Sequence, residues 1–271
     1  MPISRANTGP VWQRRESRVE IARFAGWLAL VAFFLFCFEV MTRDTIWTFL
    51  WDAHLQAADL GARMFPPRWS YIDQLWWPLW ETLNIATLGT ILAIGFGVPI
   101  AFLAARNTTP SAALVRPVAL FIIVSSRSIN SLIWALLLVS IIGPGALAGI
   151  IAISLRSIGF VGKLLYEAIE EIDQTQVEAV TATGASPGQV LAYGIWPQIR
   201  PAFAGISVFR WDINIRESTV LGLVGAGGIG LQMQASLNVL AWPQVTLIFL
   251  AILLTVVLSE WVSAKVRHAF I

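Results

Sequence analysis

The sequence predicts an all-α integral membrane protein of six transmembrane helices, and three observations lead there. Residues are 57% hydrophobic and only 13% charged, where a soluble domain carries about a quarter charged residues. The apolar residues gather in long runs that reach or approach the ~20 positions needed to cross a ~30 Å hydrocarbon core. The arginines stand beside those runs, where they set orientation, so the net charge of +2 is no sign of nucleic-acid binding. The single cysteine, Cys37, allows no intrachain disulfide. His54 and His268 lie too far apart in sequence to suggest a His-based catalytic or zinc site. Residues 1–271 read as a single transmembrane domain with no internal repeat.

The first span is 24–41, preceded by Arg5, Arg14, Arg15, Arg18 and Arg23. It is longer than a signal-peptide core and lacks a small-x-small cleavage site, so it reads as an anchor. The arginines place segment 1–23 in the cytoplasm. Segment 43–77 is acidic and dense in tryptophan, as expected of an amphipathic stretch on the outer face. Trp47, Trp51, Trp69, Trp76, Trp77 and Trp80 suit an interfacial belt, and His54 reads as a solvated surface residue. The second span is 78–105, with a kink expected at Pro99. The third is 116–142, closed by the outer turn Gly143-Pro144-Gly145. The fourth, 146–165, continues as a polar helix to Asp173; the fifth is 200–223 and the sixth 242–264. Six crossings put both termini and segment 174–197 inside the cell.

Segment 174–197 is a polar island shaped by local chemistry. Thr175 and Glu178 have the spacing of a capping box at a helix start. Gly184 stands where a helix needs a left-handed residue after its end. Ser186, Pro187 and Gln189 restart the chain with a second box. The pattern predicts a short helix, a glycine turn, and a second helix that runs to Pro197. At roughly ten residues, or ~15 Å, the first helix is too short to span a bilayer.

Ionisable residues also occur inside the spans. Arg127, Ser128 and Asn130 fall in the third; Ser154, Arg156 and Ser157 in the fourth; Arg210, Asp212, Asn214, Arg216, Glu217 and Ser218 in the fifth. At ~1.5 Å per residue, Arg127 and Arg156 each sit ~15 Å from their span's start, near the midplane. A charge there costs roughly 2.5–3.5 kcal/mol on the lenient insertion scale, so it should face protein or water. Helical spacing puts Arg210, Asn214 and Glu217 on one face and pairs Asp212 with Arg216 at i, i+4 on the other. Arg127 and Arg156 have no carboxylate near in sequence, so packed spans would leave a positive pathway that favours an anion. Arginine's planar fork suits a phosphoryl or carboxylate group. The alternative is that each arginine is a structural pair member or a carbonyl cap. Lys163 is expected to snorkel to the inner interface.

Gly225, Gly227, Gly228 and Gly230 fit the GxGxxG pattern. That fingerprint needs a soluble βαβ unit and an acidic residue ~20 positions on, and residues 245–250 are apolar. The physical reading is instead a close-packed turn at the outer end of the pathway.

These stretches carry a resemblance. Glu178, Ala179, Gly184 and Pro197 fall where the EAA motif of ABC importer permeases has its Glu-Ala start, its glycine and its proline. Val180 replaces the second alanine of that motif, and Gly194 and Trp196 replace its usual Ile and Leu. RWDINIRESTVLGLVGAGGIG over 210–230, SRSINSLIWALLLV around Arg127 and SIGFVGKLLYEAIEEID over 157–173 resemble phosphonate-type permeases, although Trp211 and Glu217 depart from the expected pattern. The resemblance implies the type I, MetI-like permease fold, with 174–197 as the cytoplasmic coupling hairpin. Glu178, Ala179, Gly184, Ala185, Ser186 and Pro187 would then dock an ATPase. It further implies a multi-pass protein of the cell membrane, a homodimer with two ATP-binding subunits and an extracytoplasmic binding protein for phosphonate, phosphite or phosphate. ATP and Mg would sit on the partner ATPase and no cofactor on this chain, which has no GxxxxGK[ST] sequence. Arginines do not distinguish phosphate from phosphonate. A methionine- or betaine-type permease, a stand-alone secondary transporter and a membrane enzyme stay open as rivals, the last disfavoured by the scarcity of histidine and cysteine.

Overall fold

The computed structural model describes residues 3–6, 9–12 and 17–270, with side chains over 18–267. The chain divides into two units, Met1–Asp59 and Leu60–Ile271. In the first, β1 (Ile3–Ala6) and β2 (Gly9–Trp12) pair antiparallel, with Ile3 opposite Trp12. This small hairpin is an addition to the all-helical expectation. The arginine bias assigned to Arg5, Arg14 and Arg15 lies outside the described side chains. Helix α1 (Ser17–Thr42) contains the predicted first span, and Glu20 in its first turn favours a helix start there. Helix α2 (Trp47–Met64) begins in the first unit and is the amphipathic stretch expected.

In the second unit, a 3₁₀ turn, Trp69–Tyr71, leads into α3 (Ile72–Ala104). Trp76 and Trp77 therefore belong to the second span, and Pro78 lies inside its helix rather than opening it. Helix α6 (Ala146–Glu170) packs along α3 through small residues: Ala86, Gly89, Thr90, Ala93, Gly97 and Ala101 are all buried on α3. A Cβ at Gly89 would stand 2.8 Å from Ile153 Cγ2, so the backbones approach closely because glycine is there.

The third span is not one helix. It is α4 (Val115–Ser128) and α5 (Ser131–Ile142), bent by 87°. Ile129 and Asn130 are extended, and the Asn130 side-chain oxygen accepts from Leu132 N–H at 3.1 Å. Asn130 is thus an N-cap, which restarts the helix in a new direction. Gly143 and Gly145, both at positive φ, turn the chain into α6.

Helix α7 (Gln174–Ala182) ends at Gly184, φ +79°, in the left-handed conformation expected. Its start differs from expectation. Asp173 is the N-cap, its carboxylate accepting from Thr175 N–H at 2.9 Å, so Thr175 is a first-turn residue and Glu178 does not cap. The second box is present as predicted: Ser186 and Gln189 bond reciprocally across the first turn of α8 (Pro187–Gln189). The second arm does not stop at Pro197. A π-helical stretch, Val190–Ile195, feeds directly into α9 (Trp196–Leu221). Pro197 lies in that helix's first turn. After a 3₁₀ turn (Gly222–Val224) come α10 (Ile229–Asn238) and α11 (Trp242–Phe270), the sixth predicted span. Among the described residues five helical segments are long and apolar enough to cross a bilayer, and the bent pair α4–α5 supplies a sixth.

Candidate functional site

The buried polar chemistry concentrates where α6 and α9 cross beside α3. Arg210 and Asn214 are one turn apart on α9, as the spacing required, and both are buried. The Arg210 Nε–H donates to Ser157 Oγ at 2.8 Å, Ser157 Oγ–H donates to Asn214 Oδ1 at 3.2 Å, and the Asn214 amide donates to Thr90 Oγ1 at 2.7 Å. This chain of bonds ties α6, α9 and α3 together. The Arg210 guanidinium lies 5.0 Å from the centre of the Phe160 ring, a cation–π contact. Trp211 Nε1–H donates to Thr87 Oγ1 at 3.0 Å. Ser218 donates to Ile215 O and Thr82 O. Asn214 and Ser218 are thus buried and bonded to neighbouring helices.

Glu217 joins two arginines. Its Oε1 is 2.7 Å from Arg156 Nη1, and both its oxygens are 3.4 Å from Arg210 Nη2. Arg156, without a carboxylate near in sequence, takes one from α9 across the helix packing. Two guanidiniums against one carboxylate leave this cluster with one excess positive charge. Exposure grades outward, from 3% for the Arg210 side chain to 15% for Glu217 and 33% for Arg156. On the opposite face of α9, Asp212 pairs with Arg216 and accepts from Ser259 Oγ of α11 at 2.8 Å. Arg216 is half exposed and turned away from the cluster. Arg127 stands apart as well. It is exposed, at the end of α4, with its stem against Gly159, and it makes no ion pair among the described residues. Ser128 donates to Val124 O within its own helix. Arg156 and Arg210 are thus brought together, whereas Arg127, Ser128, Asn130 and Arg216 are not. Lys163 is partly exposed, pairs with Glu167 one turn on and donates to Tyr166 Oη at 3.0 Å.

The glycine loop is held by α3. Gly225, Gly227 and Gly228 are at positive φ. Gly228 N–H donates to Glu81 at 3.1 Å and Ile229 N–H to Thr82 Oγ1 at 2.8 Å, so α3 side chains serve the first N–H groups of α10. A Cβ on Gly230 would stand 2.0 Å from Thr219 O. Glu81 and Thr82 were not singled out in the sequence, where nothing links a pair on the second span to a loop some 147 positions away.

The 174–197 hairpin presents Glu178, Ala179, Ser186 and Pro187 exposed, with Ala185 partly buried. Between its arms is a cleft of about 620 Å³ lined by Ala179, Val180, Thr183, Gly184, Ala185, Gln189 and Tyr193. The hairpin's base is fixed firmly. Gln198 accepts from Asp173 N–H at 2.9 Å and donates to Gly194 O at 2.8 Å. Ile195 and Ile199 are buried with Leu165 and Ile169 of α6 and Ala101 of α3. From this base to Arg210, α9 runs as one helix.

Comparisons with known proteins bear on the family and the fold. The family model described as "Binding-protein-dependent transport system inner membrane component" matches residues 97–264, a stretch that includes the hairpin, the charge cluster and the glycine loop. A phosphite transport system permease protein, PtxC, of Stutzerimonas stutzeri is 42% identical over 213 residues, 79% of this chain and 77% of its own length. A phosphate-import permease protein, PhnE, of Mycolicibacterium smegmatis is 40% identical over 225 residues, 83% of this chain but 42% of its own length. Among solved structures, a chain of the methionine ABC transporter MetNI in an inward-facing conformation matches with a TM-score of 0.65 at 20% identity, covering 75% of this chain and 99% of that one. At that identity the likeness concerns the fold, which is that of a MetI-type permease.

Proposed function

The chain belongs to the family of binding-protein-dependent transport system inner membrane components, and we propose that it is the permease subunit of an ABC importer carrying a phosphorus oxyanion into the cytoplasm. The observation that carries the substrate class is the Arg156–Arg210 pair, two guanidiniums inside the spans facing one carboxylate. Forked donors of this kind recognise phosphoryl oxygens in pairs. The names of the phosphite and phosphate relatives support the same class. Phosphite, phosphate and a phosphonate share this chemistry, and the selection among them falls to an extracytoplasmic binding protein.

In this reading the chain works as a homodimer with two ATP-binding subunits that hold ATP and Mg; its own role is not catalytic, and it binds no cofactor. Glu178, Ala179 and the cleft around Gly184 receive the ATPase on the cytoplasmic side, where both termini also lie. Closure of the ATPase pair pushes on the hairpin. The push passes through the Gln198 bonds and the buried Ile195 and Ile199 into α9, which carries Arg210 and Glu217. The amphipathic segment 43–77 and the glycine loop then lie on the outer side.

The test replaces Glu178 with Ala, or Gly184 with Pro, in the assembled complex and measures ATP-driven uptake beside ATPase activity. Uptake is expected to fall at least tenfold while the spans remain folded. Normal uptake by a fully assembled variant complex would overturn the coupling role.

A further inference from the structure

We propose that Glu217 is a tethered competitor for the anion: its carboxylate occupies the Arg156–Arg210 pair and is displaced when an oxyanion enters. This rests on the oxyanion reading above and adds a determinant of selectivity to it. The three side chains are not equally fixed. Arg210 is locked by the Ser157 bond, the Phe160 ring and near-complete burial, so its fork stays in place whatever faces it. Glu217 is more exposed, and its two contacts with Arg210, at 3.4 Å, lie beyond the 2.7–2.9 Å of good charge-assisted bonds. Its short bond is to Arg156, the most exposed member of the three. The Arg210 fork is therefore screened by Glu217 but not saturated by it. A ligand reaching the partly exposed Arg156 would take over both guanidiniums as Glu217 gives way.

The charges make this exchange selective. Glu217 contributes one negative charge against two positive ones, leaving the cluster uncompensated by one. A phosphorus oxyanion bearing two negative charges compensates both guanidiniums and outcompetes the carboxylate. A monoanion gains little, and a zwitterion such as an amino acid gains less. The same competition keeps bound substrate weakly held, because Glu217 returns to expel it.

The experiment uses the complete transporter complex in lipid nanodiscs and measures the dissociation constants of inorganic phosphite and phosphate. Glu217→Gln keeps the shape and removes the charge. It is expected to tighten binding at least fivefold and to lower the maximal uptake rate, since release slows. A smaller gain, or weaker binding, in complexes that assemble and hydrolyse ATP overturns the proposal and leaves Glu217 a plain counter-ion. If that variant does not assemble, the double variant Arg156→Gln with Glu217→Gln, which removes one charge of each sign, decides. Affinity within tenfold of wild type supports displacement, and a greater loss overturns it. Wild-type complexes that hold no phosphorus oxyanion would instead remove the oxyanion reading itself, a result distinct from wild-type binding that Glu217→Gln fails to improve.

Discussion

Gly230 shows how tightly a single position is specified. A methyl group there would lie 2.0 Å from the Thr219 carbonyl oxygen, with Gly222 Cα at 2.9 Å, and neither backbone atom can yield cheaply. Gly230→Ala is therefore expected to destabilise the folded chain by roughly 1–3 kcal/mol, the usual cost of overpacking, seen as a lower midpoint of thermal unfolding in detergent. Gly188→Ala, which has open space at its Cβ and no positive φ, serves as the comparison and is expected to change little. The sequence singled out Gly230 for the wrong kind of reason, a pattern match, although its conclusion of close packing holds. The Arg156–Glu217 pair was beyond sequence reasoning altogether. Its partners lie 61 positions apart, and only the crossing of α6 and α9 brings them together. What could be read was the face: Arg210, Asn214 and Glu217 share one side of α9 because helical spacing demands it.

Among the elements, the hairpin was legible nearly in full. Gly184 needed a left-handed backbone and has it, and the Ser186–Gln189 box is present. The first cap was misassigned because two candidates stood two residues apart. Thr175 with Glu178 fits the box pattern, but Asp173 with Gln176 fits it too, and the chain chooses the stronger acceptor. Asp173→Ala is accordingly expected to cost α7 about 1 kcal/mol, read as roughly fivefold faster amide hydrogen exchange in its first turn, while Thr175→Ala leaves exchange almost unchanged. The 87° break between α4 and α5 was missed for a different reason. Neither proline nor glycine marks it, although Ser125, Ser126, Arg127, Ser128 and Ser131 make the run polar there. The remaining signal is Asn130, a residue type that favours caps over helix interiors. The missed break matters, because it takes Arg127 out of the buried set and leaves Arg156 and Arg210 as the guanidinium pair.

For the molecule as a whole, an importer permease needs a place to receive force and a place to hold a solute, joined by something stiff. In the proposed reading the cleft at Gly184, the Arg156–Arg210–Glu217 cluster and α9 take those three roles. Arg210 lies fourteen residues beyond Trp196, about 21 Å along one helix. The composition and the alternation of apolar runs make the membrane class plain, and the polar residues within those runs include the members of the buried charge cluster. Which neighbours each of them meets depends on packing that no local pattern encodes, as the bonds of Asn214 to Thr90 and of Ser218 to Thr82 illustrate. The decisive measurement is uptake by the complex reconstituted in proteoliposomes with its binding protein, supplied in turn with labelled phosphite, phosphate and methionine. Accumulation of a phosphorus oxyanion that requires ATP, is lost on Arg210→Gln and does not extend to methionine is the expected result. Uptake driven by an ion gradient without ATP, or methionine accumulation in place of the oxyanion, would contradict it.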